Sequence, residues 1–254
     1  MLRIIWKMTL RRLNPLLKNP IAIIISMFQS IIWLVLFGNL FSGVTKMSGF
    51  EYNSYIAYML PSIIIMNALF IGIYLGLGTI SDLQSGVLQR FLVAPIGRLS
   101  IILSDLLYLI TLQFIQSVIL ILISFLMGVR LPFGFWGALL YIIVPIIFAM
   151  AVGSLSISTA LVTKKHEPMI NVMQFCSLPL MFLSSAFMPQ ELMPKWISWI
   201  SRINPVDWTI SLERAVTSSY ESLGWMPYAV VLLVFVTVSV GFCTYSFNLY
   251  RHSI

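Results

Sequence analysis

Side chains able to perform chemistry are rare in this chain, and one acid stands clearly inside an apolar segment of membrane length. Asp105 lies near the start of the stretch 101–127, which is otherwise uncharged. A carboxylate at membrane depth is a candidate for ion or proton coupling. Its shallow position equally allows a structural role at the start of a helix, or a pairing with Arg98. Both interpretations of Asp105 stay open at this point.

Motifs for catalysis and metal binding are absent from the sequence. It contains no G-x-x-x-x-G-K-[ST] loop for nucleotide phosphates and no G-x-S-x-G elbow for a nucleophilic serine. His166 and His252 stand in basic clusters, so no histidine site for a metal can form within the apolar segments. Cys176 and Cys243 fall inside apolar segments and are interpreted as small core residues rather than a disulfide. We therefore expect no enzymatic activity, no metal and no cofactor bound by this chain.

The composition places the chain in a lipid bilayer. Hydrophobic residues make up 59% of its 254 residues, charged residues make up 9%, and the mean hydropathy is +0.98. A soluble domain of this length could not bury so much apolar surface, so we expect a single polytopic membrane domain over 1–254. The formal charge of +7 is then a matter of topology, and no nucleic-acid partner is expected.

Six segments are long and apolar enough to cross a bilayer as helices, which takes about 20 residues each. They are 20–41, 55–80, 101–127, 136–162, 168–187 and 226–249. Continuous apolar runs without alternation favour helices over a barrel. We therefore predict an all-α integral membrane protein with six spans, in which the first apolar segment stays in the mature protein.

Basic residues near the segment ends predict the orientation. Ten lie on one side: Arg3, Lys7, Arg11, Arg12, Lys18, Arg90, Arg98, Lys164, Lys165 and Arg251. Five lie on the other: Lys46, Arg130, Lys195, Arg202 and Arg214. The positive-inside rule places the first set, and with it both termini, in the cytoplasm.

The first eighteen residues have the spacing of an amphipathic helix that lies in the headgroup layer. The polar face holds Arg3, Lys7, Arg11, Asn14 and Lys18, and the apolar face holds Leu2, Ile5, Trp6, Leu10, Leu13 and Leu17. Arg3, Trp6, Lys7 and Arg11 are its candidate interface residues. The segment serves either as an anchor that sets topology or as a docking element for a partner.

A second cytoplasmic element is predicted over 82–98, where apolar residues recur at helical spacing before Pro95. A passive loop would be polar, so exposed apolar residues here favour a helix that seats in a groove of another protein. Its candidate coupling residues are Asp82, Gly86, Val87, Arg90, Phe91, Leu92 and Arg98.

Uncharged polar residues inside the spans have two explanations. Asn67, Asn171 and Gln174 are candidates for lining a path through the protein. Hydrogen bonding between helices is the alternative, and it is the commoner use of such residues in membranes.

The region 188–222, between the last two predicted spans, is too long and too structured for a simple loop. It contains Pro189, Pro194, Trp196, Trp199 and the dipeptide Asn204-Pro205. We interpret it as short re-entrant helices that cap the outer face, with its tryptophans at the membrane interface. The candidate residues of this outer gate are Phe187, Pro189, Pro194, Trp196, Asn204 and Pro205.

Three features together resemble the membrane subunit of type-2 ABC exporters, the ABC-2 permease group, over essentially the full chain. They are the basic N-terminal helix, the stretch from Asp82 to Arg98, and the series FLSSAFMP at 182–189 followed by Met193-Pro194, Trp196, Asn204-Pro205 and Arg214. The third feature is the most specific, since a chance match of that series is improbable.

The resemblance implies a transport subunit driven by a separate ABC ATPase. Two copies of the ATPase would bind ATP and Mg²⁺, and two permease subunits would enclose the path as a homodimer, with a heterodimer as the alternative. Closure of the ATPases would move the 82–98 and N-terminal helices and open a route outward.

The wording of the third series is closest to bacterial drug and antibiotic exporters, which implies the cytoplasmic membrane and a hydrophobic or amphipathic substrate. Polysaccharide and lipid exporters of the same family are the alternative. A carrier that couples to ions through Asp105, and an assembly factor without transport, are competing hypotheses from other classes.

Overall fold

The architecture is helical throughout the part of the chain described by the computed structural model, which comprises residues 2–46, 54–93, 97–129, 134–218 and 223–252. The helices are α1 Leu2–Lys18, α2 Pro20–Ser26, α3 Phe28–Ile32, α4 Gly38–Leu40, α5 Tyr55–Gln84, α6 Val87–Val93, α7 Arg98–Leu126, α8 Gly134–Thr163, α9 His166–Phe182, α10 Lys195–Ser201, α11 Pro205–Ser218 and α12 Met226–His252. A π-helical turn, Trp33–Phe37, joins α3 to α4, and short 3₁₀ turns cover Ser42–Lys46, Gln190–Leu192 and Leu223–Trp225. The predicted all-α membrane class is confirmed.

Within the described residues, four helices are long and apolar enough to span a membrane by themselves. These candidate spans are Tyr55–Gln84, Ser100–Leu126, Gly134–Thr163 and Met226–Leu249. A fifth is formed if the bent pair Pro20–Ser26 and Phe28–Leu40 is one span. The segment predicted over 168–187 is helical as α9, whose 17 residues fall short of the usual crossing length. Six spans and the predicted orientation therefore remain predictions.

The first apolar segment bends by 55° at Met27, between α2 and α3. Polar side chains hold both sides of this bend. The amide of Gln116 donates to Ser26 Oγ at 2.8 Å, and the Asn67 amide donates to Gln116 Oε1 at 2.7 Å. Ser30 Oγ in turn donates to Asn67 Oδ1 at 3.1 Å. Because lipid offers no hydrogen-bond partners, this chain of bonds fixes the bent segment to α5 and α7.

Helix α5 is the centre of the bundle, and small residues allow α8 to cross it closely. A Cβ added at Gly72 would lie 2.8 Å from Val152 Cβ, and one at Gly76 would lie 2.5 Å from the carbonyl oxygen of Ser156. Ser156 Oγ also donates to the Ile73 carbonyl at 2.7 Å. Small residues let helix backbones approach in membranes, where van der Waals contact drives association. This crossing sets the position of α5, both ends of which carry candidate functional residues.

Candidate coupling site and outer cap

Four charged residues form a cluster at the end of the bundle that is predicted to be cytoplasmic. Arg11 donates to both oxygens of Asp82, at 3.2 and 2.8 Å. Arg12 contacts Asp82 Oδ2 at 2.6 Å and Asp105 Oδ1 at 3.4 Å. Two arginines of α1 thus bridge the last turn of α5 to the second turn of α7. A bidentate, partly buried network of this kind fixes geometry better than a single surface ion pair.

The electrostatics of the cluster favour the charged form of Arg12. Burial by itself lowers the pKa of this guanidinium. The carboxylates of Asp105 and Asp82 outweigh burial, so the pKa of Arg12 is raised above its ordinary value. Arg12 is therefore a permanent positive charge held between two helices.

Asp105 is paired across helices rather than aimed into an open path. It is buried, and its described ion-pair partner is Arg12, not the Arg98 considered from the sequence. The side chain of Arg98 lies outside the described atoms. The pairing supports a structural role for the Asp105 carboxylate.

Helix α1 lies on α7 along a stripe that differs from the predicted apolar face. Ile5, Met8 and Leu13 are buried. Thr9 Oγ1 lies 3.1 Å from the Ser104 carbonyl. Trp6, predicted on the apolar face, is 54% exposed, because the contact stripe runs through Thr9 instead.

The interface candidates of α1 accordingly have different surroundings. Arg3 and Lys7 are exposed, as is Trp6 on the neighbouring flank of the helix. Of the four interface candidates, Arg11 is the one that belongs to the charge cluster. The helix therefore presents cations and an indole ring outward while its other side is fixed to the bundle.

The predicted coupling stretch is folded as two helix ends and a short helix rather than one helix over 82–98. Asp82 belongs to the last turn of α5, and Gly86 turns the chain with φ +72°. Helix α6 follows, and its Leu88 side chain is buried. A positive φ strains any residue with a Cβ, which explains a glycine at this corner.

Helix α6 is joined to the charge cluster through an aromatic ring. The guanidinium carbon of Arg11 lies 5.4 Å from the centroid of the Phe91 ring, a cation–π distance. Arg90 is exposed, and Val87 is half-buried. Leu92 lies in the same helix, but its side chain is outside the described atoms. One end of the bundle thus unites α1, α5, α6 and α7 through Arg11, Arg12 and Asp82.

The predicted outer gate lies against the opposite end of α5. We call residues 183–218 the outer cap. Tyr55 donates from its hydroxyl to the Phe187 carbonyl at 2.8 Å. The Phe187 ring lies 5.5 Å from that of Phe182 and 5.2 Å from that of Trp33, centroid to centroid. Phe187 therefore connects the cap, α9 and the first apolar segment.

The prolines and Asn204 shape the cap from within. Pro189 precedes the 3₁₀ turn Gln190–Leu192, and Pro194 precedes α10. Asn204 donates to the carbonyls of Leu180 and Leu183, at 2.7 and 2.9 Å, and accepts the Val206 amide at 2.9 Å. Pro205 then begins α11. Asn204 thereby closes the end of α9 and caps the start of α11, which a proline at the first helical position also favours.

Trp196 is 61% exposed on α10, together with Trp199. Exposed indoles on a short helix are typical of a membrane interface, where one edge is apolar and the other is wet.

Arg214 ends the series that carries the family resemblance but was not among the candidate site residues, yet it has the densest set of contacts in the described cap. Its Nη1 donates to the Tyr58 hydroxyl at 3.0 Å and to the Ser185 carbonyl at 2.9 Å. Its Nη2 donates to the Tyr58 carbonyl at 3.1 Å and to Ser62 Oγ at 2.9 Å. The guanidinium also lies 3.8 Å from the centroid of the Tyr58 ring. Its place at the end of the series that runs from Phe182 to Arg214 is the sequence signal that could have found it.

Two acids of α11 complete the cap. Asp207 accepts the Ser185 amide and the Gln190 side chain, each at 2.5 Å. Burial raises the pKa of Asp207, although these hydrogen bonds oppose the shift. Burial raises the pKa of Glu213 well above its ordinary value, against the opposing charge of Arg214.

The three candidates for a polar path are not brought together. Asn67 is buried in the hydrogen-bonded chain at the bend of the first segment, so it serves contact between helices. Asn171 and Gln174 are exposed on α9. Helix α9 is buried along one narrow stripe, which leaves its other sides uncovered in a single subunit.

Among the described residues, no group of three or more His, Cys, Asp and Glu could hold a metal ion. What the two sites share is α5, which carries Asp82 at one end and Tyr58 at the other.

Known proteins with similar sequences indicate the family of this chain. The ABC-2 type transporter family matches residues 3–218. A protein named as the transport permease ycf38 of Cyanophora paradoxa is 31% identical over 227 residues, which is 88% of this chain and 77% of that protein. The ycf38 permease of Porphyra purpurea is 27% identical over 88% of this chain and 76% of its own length. The daunorubicin resistance ABC transporter permease DrrB1 of Streptomyces coeruleorubidus is 24% identical over 92% of this chain and 81% of its own.

The family match covers both the charge cluster and the outer cap, and relatives named as permeases align over most of the length. The chain belongs to the ABC-2 type transporter family of membrane-spanning transport permeases.

Proposed function

We propose that this chain is the membrane-spanning subunit of an ATP-driven exporter and that a separate ABC ATPase supplies the energy. The observation that carries the proposal is the cytoplasmic cluster of Arg11, Arg12, Asp82 and Asp105, with Phe91 against Arg11. The cluster joins α6 to three longer helices, α1, α5 and α7. A displacement of α6 would therefore be transmitted to all three. Two ATPase copies would bind ATP and Mg²⁺ outside this chain.

The same contacts support a mechanical role for α6. Leu88 anchors the helix to the bundle while Arg90 faces outward, which provides one face for the permease and one for a partner. A force applied at α6 reaches Arg11 through Phe91, and it reaches the end of α5 through Asp82. Motion of α5 and α1 would then open a route on the outer side.

The exposed sides of α9 support a second copy of this permease in the working complex. Phe175 is 81% exposed beside the amides of Asn171 and Gln174. Amide side chains are costly against lipid and are commonly satisfied by another helix. A homodimer would cover them, and a related permease in a heterodimer would serve as well.

The substrate class we propose is a hydrophobic or amphipathic small molecule, moved out of the cytoplasm or the inner leaflet of a bacterial cytoplasmic membrane. Support comes from the likeness to a permease named for daunorubicin resistance. A polysaccharide or a lipid is the alternative cargo.

The coupling assignment is tested by expressing the permease together with an ABC ATPase encoded beside its gene. We expect a stable complex. Phe91→Ala and Gly86→Ala should uncouple ATP hydrolysis from transport, so that the amount of substrate transported per ATP hydrolysed falls by about tenfold or more. Phe135→Ala is the matched control, since Phe135 is an exposed phenylalanine in the first turn of α8 and has no contact with the cluster among the described ring contacts. A complex in which Phe91→Ala behaves like Phe135→Ala would overturn the coupling role.

The cargo is tested in proteoliposomes that contain the purified complex. A fluorescent anthracycline, a lipid carrying a labelled head group and a short undecaprenyl-linked oligosaccharide are supplied in separate arms with ATP. We expect ATP-dependent movement of the anthracycline. Movement of one of the other two cargoes alone would assign the protein to the lipid or polysaccharide exporters instead.

A further inference from the structure

Arg214 is a charged side chain of the outer cap that is bonded directly to α5, where the hydroxyls of Tyr55 and Tyr58 also contact the cap. Arg214 projects from α11 and contacts two other parts of the chain: residues Tyr58 and Ser62 of α5, and Ser185 in the segment after α9. Asn204 joins the cap to the end of α9 and Asp207 joins parts of the cap to each other, whereas Arg214 joins α11 to both α5 and Ser185. Hydrogen bonds to a charged donor are stronger than neutral ones, especially where water is excluded.

The contacts of Arg214 bracket Pro61 within α5. The ring nitrogen of proline cannot donate, so one hydrogen bond of the helix is missing at this point. Arg214 Nη2 reaches the Tyr58 carbonyl before Pro61 and the Ser62 hydroxyl after it. The guanidinium fork therefore spans the weakest turn of α5 and makes that turn part of the cap. A lysine could not supply the same planar set of donors.

Helix α5 continues without interruption from this turn to the charge cluster. Its 30 residues, from Tyr55 to Gln84, correspond to a length of about 45 Å. Asp82, in its last turn, is the residue that Arg11 and Arg12 contact. One continuous helix thus joins the cytoplasmic cluster to the residues that Arg214 contacts.

We infer that Arg214 is the positioning residue through which α5 controls the outer cap. It keeps residues 183–190 and α11 seated on α5, so that a displacement of α5 at Asp82 moves the cap with it. The inference rests on the proposed function for the source of that displacement. The fastening of the cap by Arg214 does not depend on the ATPase.

The test measures amide hydrogen exchange by mass spectrometry in the free permease and in its ATPase complex. In the free permease, Arg214→Met should speed exchange by about tenfold or more in peptides from 183–190 and 205–216, and leave α7 and α8 peptides unchanged. Arg202→Met is the matched control, because Arg202 is an exposed arginine of the cap that precedes α11. Equal cap exchange in Arg214→Met and Arg202→Met would overturn the inference.

The complex supplies a readout that a purely structural role would not change. Trapping the wild-type complex with ATP and vanadate should alter exchange in the cap. In Arg214→Met, the trapped complex should still hydrolyse ATP and still alter exchange at α6, but the response of the cap should be lost. A cap that responds normally without Arg214 would refute its role in transmission.

Milder variants cover the case in which Arg214→Met fails to fold. Ser62→Ala and Tyr58→Phe remove single partners, and Arg214→Lys retains the charge without the fork. Each should increase the rate of amide exchange by an intermediate amount, in cap peptides alone. Wild-type exchange rates in all three variants would overturn the inference. If no ATPase associates with the wild type, the proposed function fails, while the exchange of the free permease still decides the role of Arg214.

Discussion

The crossing of α5 and α8 should not tolerate a single added methyl group at Gly76. A Cβ there would lie 2.5 Å from the carbonyl oxygen of Ser156, and the Met169 methyl and Ser156 hydroxyl also stand in its way. Met169 can rotate, but the carbonyl belongs to the backbone of α8. Restoring an ordinary contact therefore requires the two helices to separate by about 1 Å.

The cost of Gly76→Ala follows from this geometry. Overpacking of a close interface costs about 1–3 kcal/mol. The Gly76 amide also lies 3.2 Å from Ser156 Oγ, a contact that separation of the helices weakens. The helix propensity of alanine offsets little, because α5 stays helical in lipid even when it leaves its neighbours. We expect a net loss of about 1–3 kcal/mol, equivalent to a melting temperature lower by roughly 3–10 °C.

Thermal unfolding of the purified permease, followed by tryptophan fluorescence in lipid nanodiscs, measures this loss. Gly241→Ala is the control, since Gly241 lies in α12 with nothing within 4 Å of an added Cβ. Its melting temperature should stay at the wild-type value or rise slightly. If Gly76→Ala melts as high as Gly241→Ala, the close α5–α8 crossing is not a feature of the protein.

Three further perturbations address the charge cluster, the bend and the cap. Asp82→Asn removes the carboxylate that both arginines of α1 contact, so α1 should be destabilised by about 1–3 kcal/mol, seen as faster hydrogen exchange in 2–18 but not in α12. Asn67→Leu leaves Gln116 without its buried partner and should lower stability to detergent denaturation by about 1–2 kcal/mol, whereas Asn171→Leu, at an exposed site, should not. Glu213 has a pKa raised by burial, so its contribution to stability is full below the ordinary value of 4.5 and is lost as the pH rises through the raised pKa. Glu213→Gln should therefore flatten the decline of melting temperature with rising pH, and an unchanged decline would show that another group titrates.

Sequence reasoning located most helices because lipid leaves an apolar run few alternatives to a helix. The start of α11 could also be foreseen, since Asn204-Pro205 combines a capping side chain with a proline suited to the first turn. The helix predicted over 82–98 exists as the shorter α6, so its length was overestimated. The apolar spacing continues through Gly86, and only the backbone shows that this residue turns the chain.

Long-range partners were beyond sequence reasoning. Asp105 was considered as a partner of nearby Arg98, while the structure pairs it with Arg12, 93 positions earlier. Arg214 contacts Tyr58 across 156 positions of sequence. Periodicity describes which face of a helix is apolar, not which element covers that face. For the same reason Trp6 could be placed on the apolar face of α1, but the sequence did not show that Thr9 would face α7 while Trp6 stays exposed.

The closeness of α5 and α8 at Gly76 makes that crossing the natural pivot of α5. Asp82 lies six residues beyond it, or about 9 Å, and Ser62 lies fourteen residues before it, or about 21 Å. A rigid helix that tilts about Gly76 moves its longer arm farther. A displacement imposed at Asp82 should therefore arrive at the cap enlarged by about twofold.

Distances between spin labels test this lever. In a variant without native cysteines, Ser81→Cys reports the coupling end and Ile203→Cys reports the cap, each paired with Val238→Cys on α12. On trapping the ATPase complex with nucleotide, the distance change at 203 should be about twice that at 81. A cap that moves less than the coupling end would mean that α5 bends at Pro61 despite Arg214. In Arg214→Met, the cap should move less than the coupling end. The difference between this variant and the wild type therefore distinguishes a rigid α5 from one that bends at Pro61.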